Sequence, residues 1–479
     1  MAATSAVVVN SYLSRKTQAA IQSIAVMPFV NESGNAEVDY LSDGMTETLI
    51  GSLSQIPNLN VKARSSVFRY KGKETDAQTI GKELNVQAIL NGRVVQRGED
   101  LVVYLELVNT QTGNRIWGDQ YNKTLANLVS LQSEIARDVS QKLELRLSGA
   151  DERRVAKNYT ANTEAYQLYL KGRFYWNKRT GEGVTKSVEY FEKALKQDPG
   201  YALAFAGLAD AYSVMPSYAD GAPDVFFPKA KAAARRALEL DESLAEAHTA
   251  LARVLFAYDW SFAESDREYQ RAIALNPNYA TAHHWYGNAN LLRTGRFEES
   301  IAEMKHAQML DPLSLIINAD LGENYLLARR YDEAIAQLVK TIEMDERFYY
   351  AHWQLGIAYQ MKGSYPEAIA EYTRARQLSD NQWMLALLGQ AYAVSGNKSD
   401  AYKLLAQLKE LSRQRYIQPY SFAIIYVGLN DKDQAFQSLE ESYQNRGQEL
   451  TRLKVDPFLD PLRSDPRFQN LLRRVGLPN

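Results

Sequence analysis

Five histidines, His248, His283, His284, His306 and His352, are the side chains most suited to hold a metal or move a proton. His248, His284 and His352 fall at similar places on the first helices of predicted helical pairs. Stacked helices lie about 8–10 Å apart, whereas a zinc ligand sits about 2.0–2.1 Å from its ion. Equivalent histidines in separate pairs therefore cannot share one ion, and His283 and His284, being adjacent, point apart. Packing in the core or between repeats is the reading they support. Paired acids at Glu298-Glu299, Glu440-Glu441 and Asp431/Asp433 have the composition of acid–base catalysts. They lie on predicted helical faces beside Arg and Lys, with no apolar pocket in sequence to shift a pKa, and read as solvated surface. Gly181-Glu182-Gly183 lacks a third glycine and follows no strand, so it reads as a turn. No phosphate-cradling GxxxxGK[ST] and no GxSxG is present. The chain has no cysteine, which excludes disulfides, thiol nucleophiles and Cys-ligated zinc. These residues predict a protein that is not an enzyme, with no cofactor and no bound metal.

The elements that position these residues belong to a folded chain: 46% of its 479 residues are hydrophobic and 23% charged, unlike disorder. Its 55 basic and 57 acidic residues leave a net charge of −2, too little positive field for nucleic acid as a main partner. No stretch approaches the roughly 18–20 apolar residues that span a bilayer. The nearest run, residues 2–13, is short, is broken by Asn10 and Ser11, and lacks the basic start of a secretory signal.

Residues 22–148 read as an α+β domain. A short apolar run at 23–30 predicts a buried strand. Residues 39–55 follow with Leu41, Met45, Leu49 and Leu53 on one helical face. A strand at 59–63 and a helix at 75–84 come next. Strands at 86–96, 101–109 and 115–121 are separated by Arg97-Gly98-Glu99-Asp100 and Gln111-Thr112-Gly113-Asn114, both with hairpin-turn chemistry. A long helix at 125–147 closes the domain. The order β-α-β-α-β-β-β-α predicts helices on a mostly antiparallel sheet.

After a linker at 149–164, residues 165–449 repeat at about 34 residues, giving about eight helical hairpins. The pattern recurs as Leu321-Gly322 with Tyr325, Tyr331 and Ala334, as Leu355-Gly356 with Tyr359, Tyr365 and Ala368, and as Leu388-Gly389 with Tyr392 and Ala401. Small residues mark close helix crossings and large aromatics fill the adjoining gaps. Pro199, Pro277 and Pro312 close second helices. About nine extra residues around 216–227 predict a lengthened loop inside the second hairpin. Residues 450–479 predict a capping segment, with Ser464 as an N-cap and Pro466 at the first helical position.

The repeat pattern is identified as that of the tetratricopeptide family, which implies a right-handed α-solenoid and a mainly α chain. The motifs IAVMPF, YLSDGMTETL, ILNGRVVQRGEDLVVYLELVNTQTG and IWGDQYNKTL resemble the TolB-type amino-terminal domain of bacterial signalling proteins. Together with YDWSFAESDREYQRAIALNPNYATAHHWYGN and DPFLDPLRSDPRFQNLLRRVGLPN, the order resembles the non-catalytic half of bacterial receptor-type serine/threonine protein kinases. Related halves occur beside cyclase or winged-helix domains. The kinase motifs HRD and DFG are absent. In that family the region follows a membrane helix, of which the 2–13 run, within the tail 1–21, would be a remnant. The resemblance implies a scaffold or sensor module for a partner protein or peptide, or a regulatory half acting with a separate kinase or cyclase chain. A soluble chain of this kind is expected in the cytoplasm, or alternatively at the extracytoplasmic face of the inner membrane, where a membrane-associated signalling partner would meet it. Tetratricopeptide ligands meet the first helix of each repeat. Carried over to this chain, the contact positions fall on Trp285, Arg293, Glu323, Tyr350, Trp353, Met361, Trp383 and Tyr420, with Ala319, Leu327, Ile357 and Gln390 among them. The Lys, Asn and Arg pattern of carboxylate-gripping repeats is missing, so an aromatic, apolar groove for an amphipathic helix or an extended hydrophobic segment is expected. The alternative is that several of these aromatics only pack between hairpins.

Overall fold

A computed structural model describes residues 21–143, 147–218 and 223–477. The apolar run 2–13 lies outside them. In the N-terminal domain, strands β1 (Ser23–Val26), β2 (Val30–Asn31), β3 (Asn60–Val61), β4 (Ala88–Arg97), β5 (Asp100–Asn109) and β6 (Arg115–Thr124) form one sheet in the order β3-β1-β4-β5-β6, with β2 also on β4. β1 runs parallel to β3 and to β4, and β2 parallel to β4, while β4, β5 and β6 are antiparallel. The sheet is therefore mixed, not mostly antiparallel. Helix α1 (Asp39–Ser54) carries the chain from β1 across to β3, and a crossover returns a strand parallel to the one it left. Leu41, Met45, Leu49 and Leu53 of α1 are fully buried, so the fourfold spacing does place them on the core face. Two further helices follow β3, the short α2 (Arg64–Val67) and α3 (Ala77–Leu84), and α4 (Leu128–Lys142) closes the domain. A short helix, Gly149–Val155, occupies part of the linker.

The remainder is a solenoid of tetratricopeptide-type hairpins. Eight first helices, among the described residues, are Thr163–Trp176, Ala202–Tyr218, Ala245–Ala257, Ala280–Thr294, Leu315–Leu327, Tyr349–Met361, Trp383–Val394 and Pro419–Gly428. Each packs on a second helix that follows it, and the pairs are numbered 1 to 8 here. The close crossings are visible at the glycines: a Cβ on Gly322 would lie 2.6 Å from Leu338, and one on Gly356 2.6 Å from Tyr372. The first helix of repeat 4 widens into a π-helix at Tyr286–Leu291.

Between the two helices of a hairpin, one turn residue adopts a left-handed conformation: Arg179, Trp260, Gly295, Arg329, Gly363, Gly396 and Asn430. Glycine meets this requirement without strain, whereas Trp260 (φ 56°) and Arg329 (φ 64°) meet it at a cost of about 1 kcal/mol each. The extra residues of repeat 2 lengthen its helices, Ala202–Tyr218 and Pro223–Leu240, in place of the long loop expected. Gly181-Glu182-Gly183 is the first turn of a helix capped by the Thr180 hydroxyl, not a free turn. The last helix, Pro466–Val475, is capped by Asp465 and not by Ser464, because the Asp465 carboxylate accepts from the Arg467 N–H.

Both ends of the chain fold back over the middle of the solenoid. The N-terminal domain lies along the edge formed by the turns that link one repeat to the next. The Ala63 N–H donates to the Leu310 carbonyl at 3.0 Å, and Lys62 Nζ to the Met309 carbonyl at 2.6 Å. Ser65 and Ser66 both donate to the buried Asp311 carboxylate. Arg69 reaches the Leu313 and Met344 carbonyls, and Asn276 and Asn278 donate to Ser54. Along the opposite edge, residues 446–463 run across the hairpin turns of repeats 3, 4 and 5. Arg446 stacks on Trp260 at 4.7 Å, Lys454 Nζ donates to the Thr294 carbonyl at 2.9 Å, and Asp460 pairs with Arg329 at 2.9 Å.

Candidate functional site

The inner faces of the first helices, α1 and α2, and residues 444–452 line a partly open cavity of 2180 Å³. Its far end carries an aromatic ladder. Tyr350 meets Trp353 edge-on at 4.9 Å, Trp353 lies 6.1 Å from Trp383, and Trp383 stacks on Tyr420 at 6.1 Å. Tyr350 and Trp353 lie one turn apart on the first helix of repeat 6, and Trp383 and Tyr420 continue the row from the starts of the first helices of repeats 7 and 8. The indole N–H groups of Trp353 and Trp383 are buried without a hydrogen-bond partner. Trp285, in repeat 4, also lines the cavity, with the Arg253 guanidinium 4.7 Å from its ring.

Of the eight positions taken from sequence, Trp285, Arg293, Glu323, Tyr350, Trp353, Trp383 and Tyr420 line this cavity, and Met361 does not. Ala319, Leu327, Ile357 and Gln390 also lie outside it, Gln390 being held by Gln360. The wall is less apolar than the expected groove. Glu323, 1% exposed, accepts from Arg293 at 3.1 Å on both oxygens, from Asn288 at 2.9 Å, and pairs with Arg452 at 3.3 Å. Burial alone would raise this carboxyl, but the two guanidiniums outweigh it and hold it well below the usual range. His284 Nε2 bonds Asp320 at 2.6 Å, and the other Asp320 oxygen accepts from the Tyr350 hydroxyl at 2.8 Å. Tyr420, fully buried, donates to Asp456 at 2.8 Å, so its ring serves the ladder while its hydroxyl is already committed.

The near end, at repeats 1 to 3, is built on charge. Arg173 donates to Glu47 of α1 at 2.7 and 2.5 Å and lies 3.6 Å from Asp210. Glu47 also pairs with Arg64 of α2 at 3.2 Å and accepts from Asn177 at 2.7 Å. Burial pushes the Asp210 carboxyl up to about 7 against the pull of Arg173, and one of its oxygens has no hydrogen-bond partner. Asp210 and Asp320 were missed in sequence, although each stands out as a lone acid among small or apolar neighbours on a first helix, as in Ala209-Asp210-Ala211 and Ala319-Asp320-Leu321.

The other histidines have a repeated structural use. His248, His283 and His352, not His284, are the equivalent residues. Each bonds a glutamate of its second helix through Nδ1 (Glu268, Glu303, Glu371) and, through Nε2, a carbonyl six residues back at 2.9 Å. Asn318 makes the same backward bond to Pro312 at 3.0 Å. The paired acids lie on the surface in ion pairs: Glu298 with Arg330, Glu299 with Arg296, Asp433 with Arg467 and Glu440 with Arg474. Among the described residues, no group of three or more His, Asp or Glu is placed to hold a metal ion. No helix there is long and apolar enough to cross a membrane.

Comparison with known proteins agrees with the fold. Residues 261–313 and 320–382 match the tetratricopeptide repeat family. Residues 19–137 match the second domain of HilA/YgeH-like transcriptional regulators, which is the likeness found for the N-terminal domain in place of the TolB type. A protein of Rhizobium meliloti (strain 1021) named "Putative adenylate cyclase 3" is 31% identical over 234 residues, 49% of this chain. The chain spans about 40% of the length of that curated relative. Among solved structures, pilF of Pseudomonas aeruginosa is 24% identical, covering 44% of this chain and 92% of its own, with a TM-score of 0.35. The Cut9–Hcn1 assembly of the APC/C is 16% identical, covering 73% and 63%, with a TM-score of 0.44.

Proposed function

We propose that this chain is a non-catalytic sensor or scaffold module of a bacterial signalling system, and that its central cavity receives a segment of a partner protein. The observation that carries this reading is the aromatic ladder Tyr350–Trp353–Trp383 on the cavity wall. Small-molecule pockets measure about 300–1,000 Å³, and this cavity, at 2180 Å³, has room for a peptide segment. Rings presented edge to face give a large contact area at little entropic cost, the property that makes Trp and Tyr frequent binding hot spots. The tetratricopeptide match supports a protein-binding role. The match of the N-terminal domain to a family of transcriptional regulators supports a signalling context. A second reading, a regulatory half that acts only with a separate catalytic chain, is favoured by the relative named as a cyclase.

A photo-crosslinking amino acid placed at Trp383 in the native host tests the reading, with the exposed Tyr402 as control. Position 383 is expected to yield one recurrent partner adduct and position 402 none; equal labelling from both would overturn it. Changing Trp285 and Trp353 together to Ala is expected to weaken that partner at least about tenfold while leaving the helical circular-dichroism signal in place.

A further inference from the structure

The segment 446–463 does more than cap the last repeat. Leu450 and Leu453 are fully buried, and between them Arg452 reaches into the cavity wall to Glu323. Two details separate this contact from ordinary core packing. Glu323 keeps Arg293 and Asn288 as partners of its own, so withdrawing Arg452 does not orphan it. Arg452 in turn carries its own counter-charge, since its Nε lies 3.2 Å from Asp456 four residues on. The Arg452–Asp456 pair is neutral by itself, and Glu323 stays paired whether or not Arg452 is present. Removing one member of a buried ion pair normally costs about 3–5 kcal/mol because a charge is stranded; here neither Glu323 nor Arg452 is stranded, and the buried bond given up is that of the Tyr420 hydroxyl to Asp456. The remaining anchors are one lysine on the Thr294 carbonyl, one exposed pair between Asp460 and Arg329, one ring contact at Trp260, and the buried side chains of Val455, Phe458, Leu459 and Leu462, whose apolar contacts a displacing segment must replace.

We propose that residues 446–463 are a resident strap seated in the partner site, and that the site's ligand is a segment of the same chemistry, an arginine flanked by leucine-type residues, which displaces the strap and presents its own guanidinium to Glu323. This deepens the cavity-binding reading above and rests on it. The ligand's chemistry is inferred from what the site already holds: a buried carboxylate accepting a guanidinium, beside apolar positions that take Leu450 and Leu453.

The probe is a fluorescein-labelled peptide of residues 448–463, added to the full-length chain and followed by fluorescence anisotropy. The unaltered chain is expected to bind it weakly, because its own strap competes. The Arg452→Glu chain, whose strap is repelled by Glu323, is expected to bind it about tenfold tighter. A peptide carrying Arg452→Glu is expected to bind neither. Equal affinity of both chains for the peptide, or equal binding of both peptides, overturns the proposal. Should the Arg452→Glu chain lose its helical signal, hydrogen exchange on the unaltered chain decides. Excess unlabelled peptide should speed exchange in residues 448–456, and no change there rejects the strap. If the peptide fails while crosslinking at position 383 still captures a partner, the strap alone falls; if both fail, so does the cavity reading.

Discussion

The solenoid is gripped along two edges, and the two grips differ in kind. On the edge of the inter-repeat turns, the N-terminal domain bonds backbone carbonyls and one buried carboxylate through serines, a lysine and an arginine. The groups it uses on the repeats are the unsatisfied ends of second helices, which need partners whatever the function. On the edge of the hairpin turns, the C-terminal segment meets side chains and one backbone carbonyl, that of Thr294. Two of the turn residues it touches, Trp260 and Arg329, are the bulky ones held in left-handed conformation, where glycine would cost less. The first grip completes the fold. The second adds contacts at positions that carry strain, and its ion pairs balance without the repeats. A grip of the first kind is expected to be permanent and one of the second kind to be separable.

The sharpest way to break this contrast is Glu47→Ala. It removes the partner of Arg173 and Arg64 at the junction of domain and repeat 1, and is expected to cost about 3–4 kcal/mol in urea unfolding. A loss below about 1 kcal/mol would place this grip among the dispensable ones.

Next in size, Asp210→Asn probes the buried charge behind that junction. The folded carboxyl titrates near 7 and an unfolded one near 3.9, so between these values the folded chain keeps a proton that the unfolded chain has lost. Stability therefore falls as pH rises from about 4 to about 7. The Asn variant, which does not ionise, is expected to gain about 2 kcal/mol more over the parent at pH 8 than at pH 5. A pH-independent difference would show that Asp210 is ionised and satisfied in the fold.

Ser66→Ala is a smaller cut on the same edge. Its hydroxyl donates to Asp311 at 2.5 Å and accepts from the Leu313 N–H at 2.9 Å, and about 1–2 kcal/mol should be lost in the same unfolding assay. The smallest effect is expected on the other edge. Arg329→Gly relieves a left-handed residue and gives up an exposed ion pair, for a net gain of about 0.5 kcal/mol in thermal or chemical melts. A clear loss would mean that the strap edge is as structural as its counterpart.

Much of the framework was legible in the sequence because it is periodic. The fourfold spacing of Leu41, Met45, Leu49 and Leu53 marks a buried helical face, and the 34-residue period places the ladder aromatics on successive first helices. What could not be read is what has no period. Ser66 and Asp311 are 245 positions apart, and neither neighbourhood signals that they meet. Helix α2 is a single turn, too short to show an amphipathic pattern. The parallel strands follow from a crossover whose consequence the hairpin-rich β4–β6 segment obscured. In repeat 2, the stretch from Pro216 to Phe227 suggested a loop, yet Pro216 lies inside a helix and Pro223 begins another long one.

The backward bond of His248, His283, Asn318 and His352 ties each first helix of repeats 3 to 6 to the turn just before it, so the angle at which these hairpins start is a local property. A unit inserted or excised beyond repeat 5 would leave the pitch of its neighbours unchanged, yet it would move repeat 8, from which residues 446–463 set out, by one helical spacing away from Thr294 and Arg329. The same operation between repeats 3 and 5 would shift Asp311, Thr294 and Arg329 and throw both folded-back segments out of alignment at once. Variation in the length of this array is therefore resisted by its geometry on both sides of repeat 5.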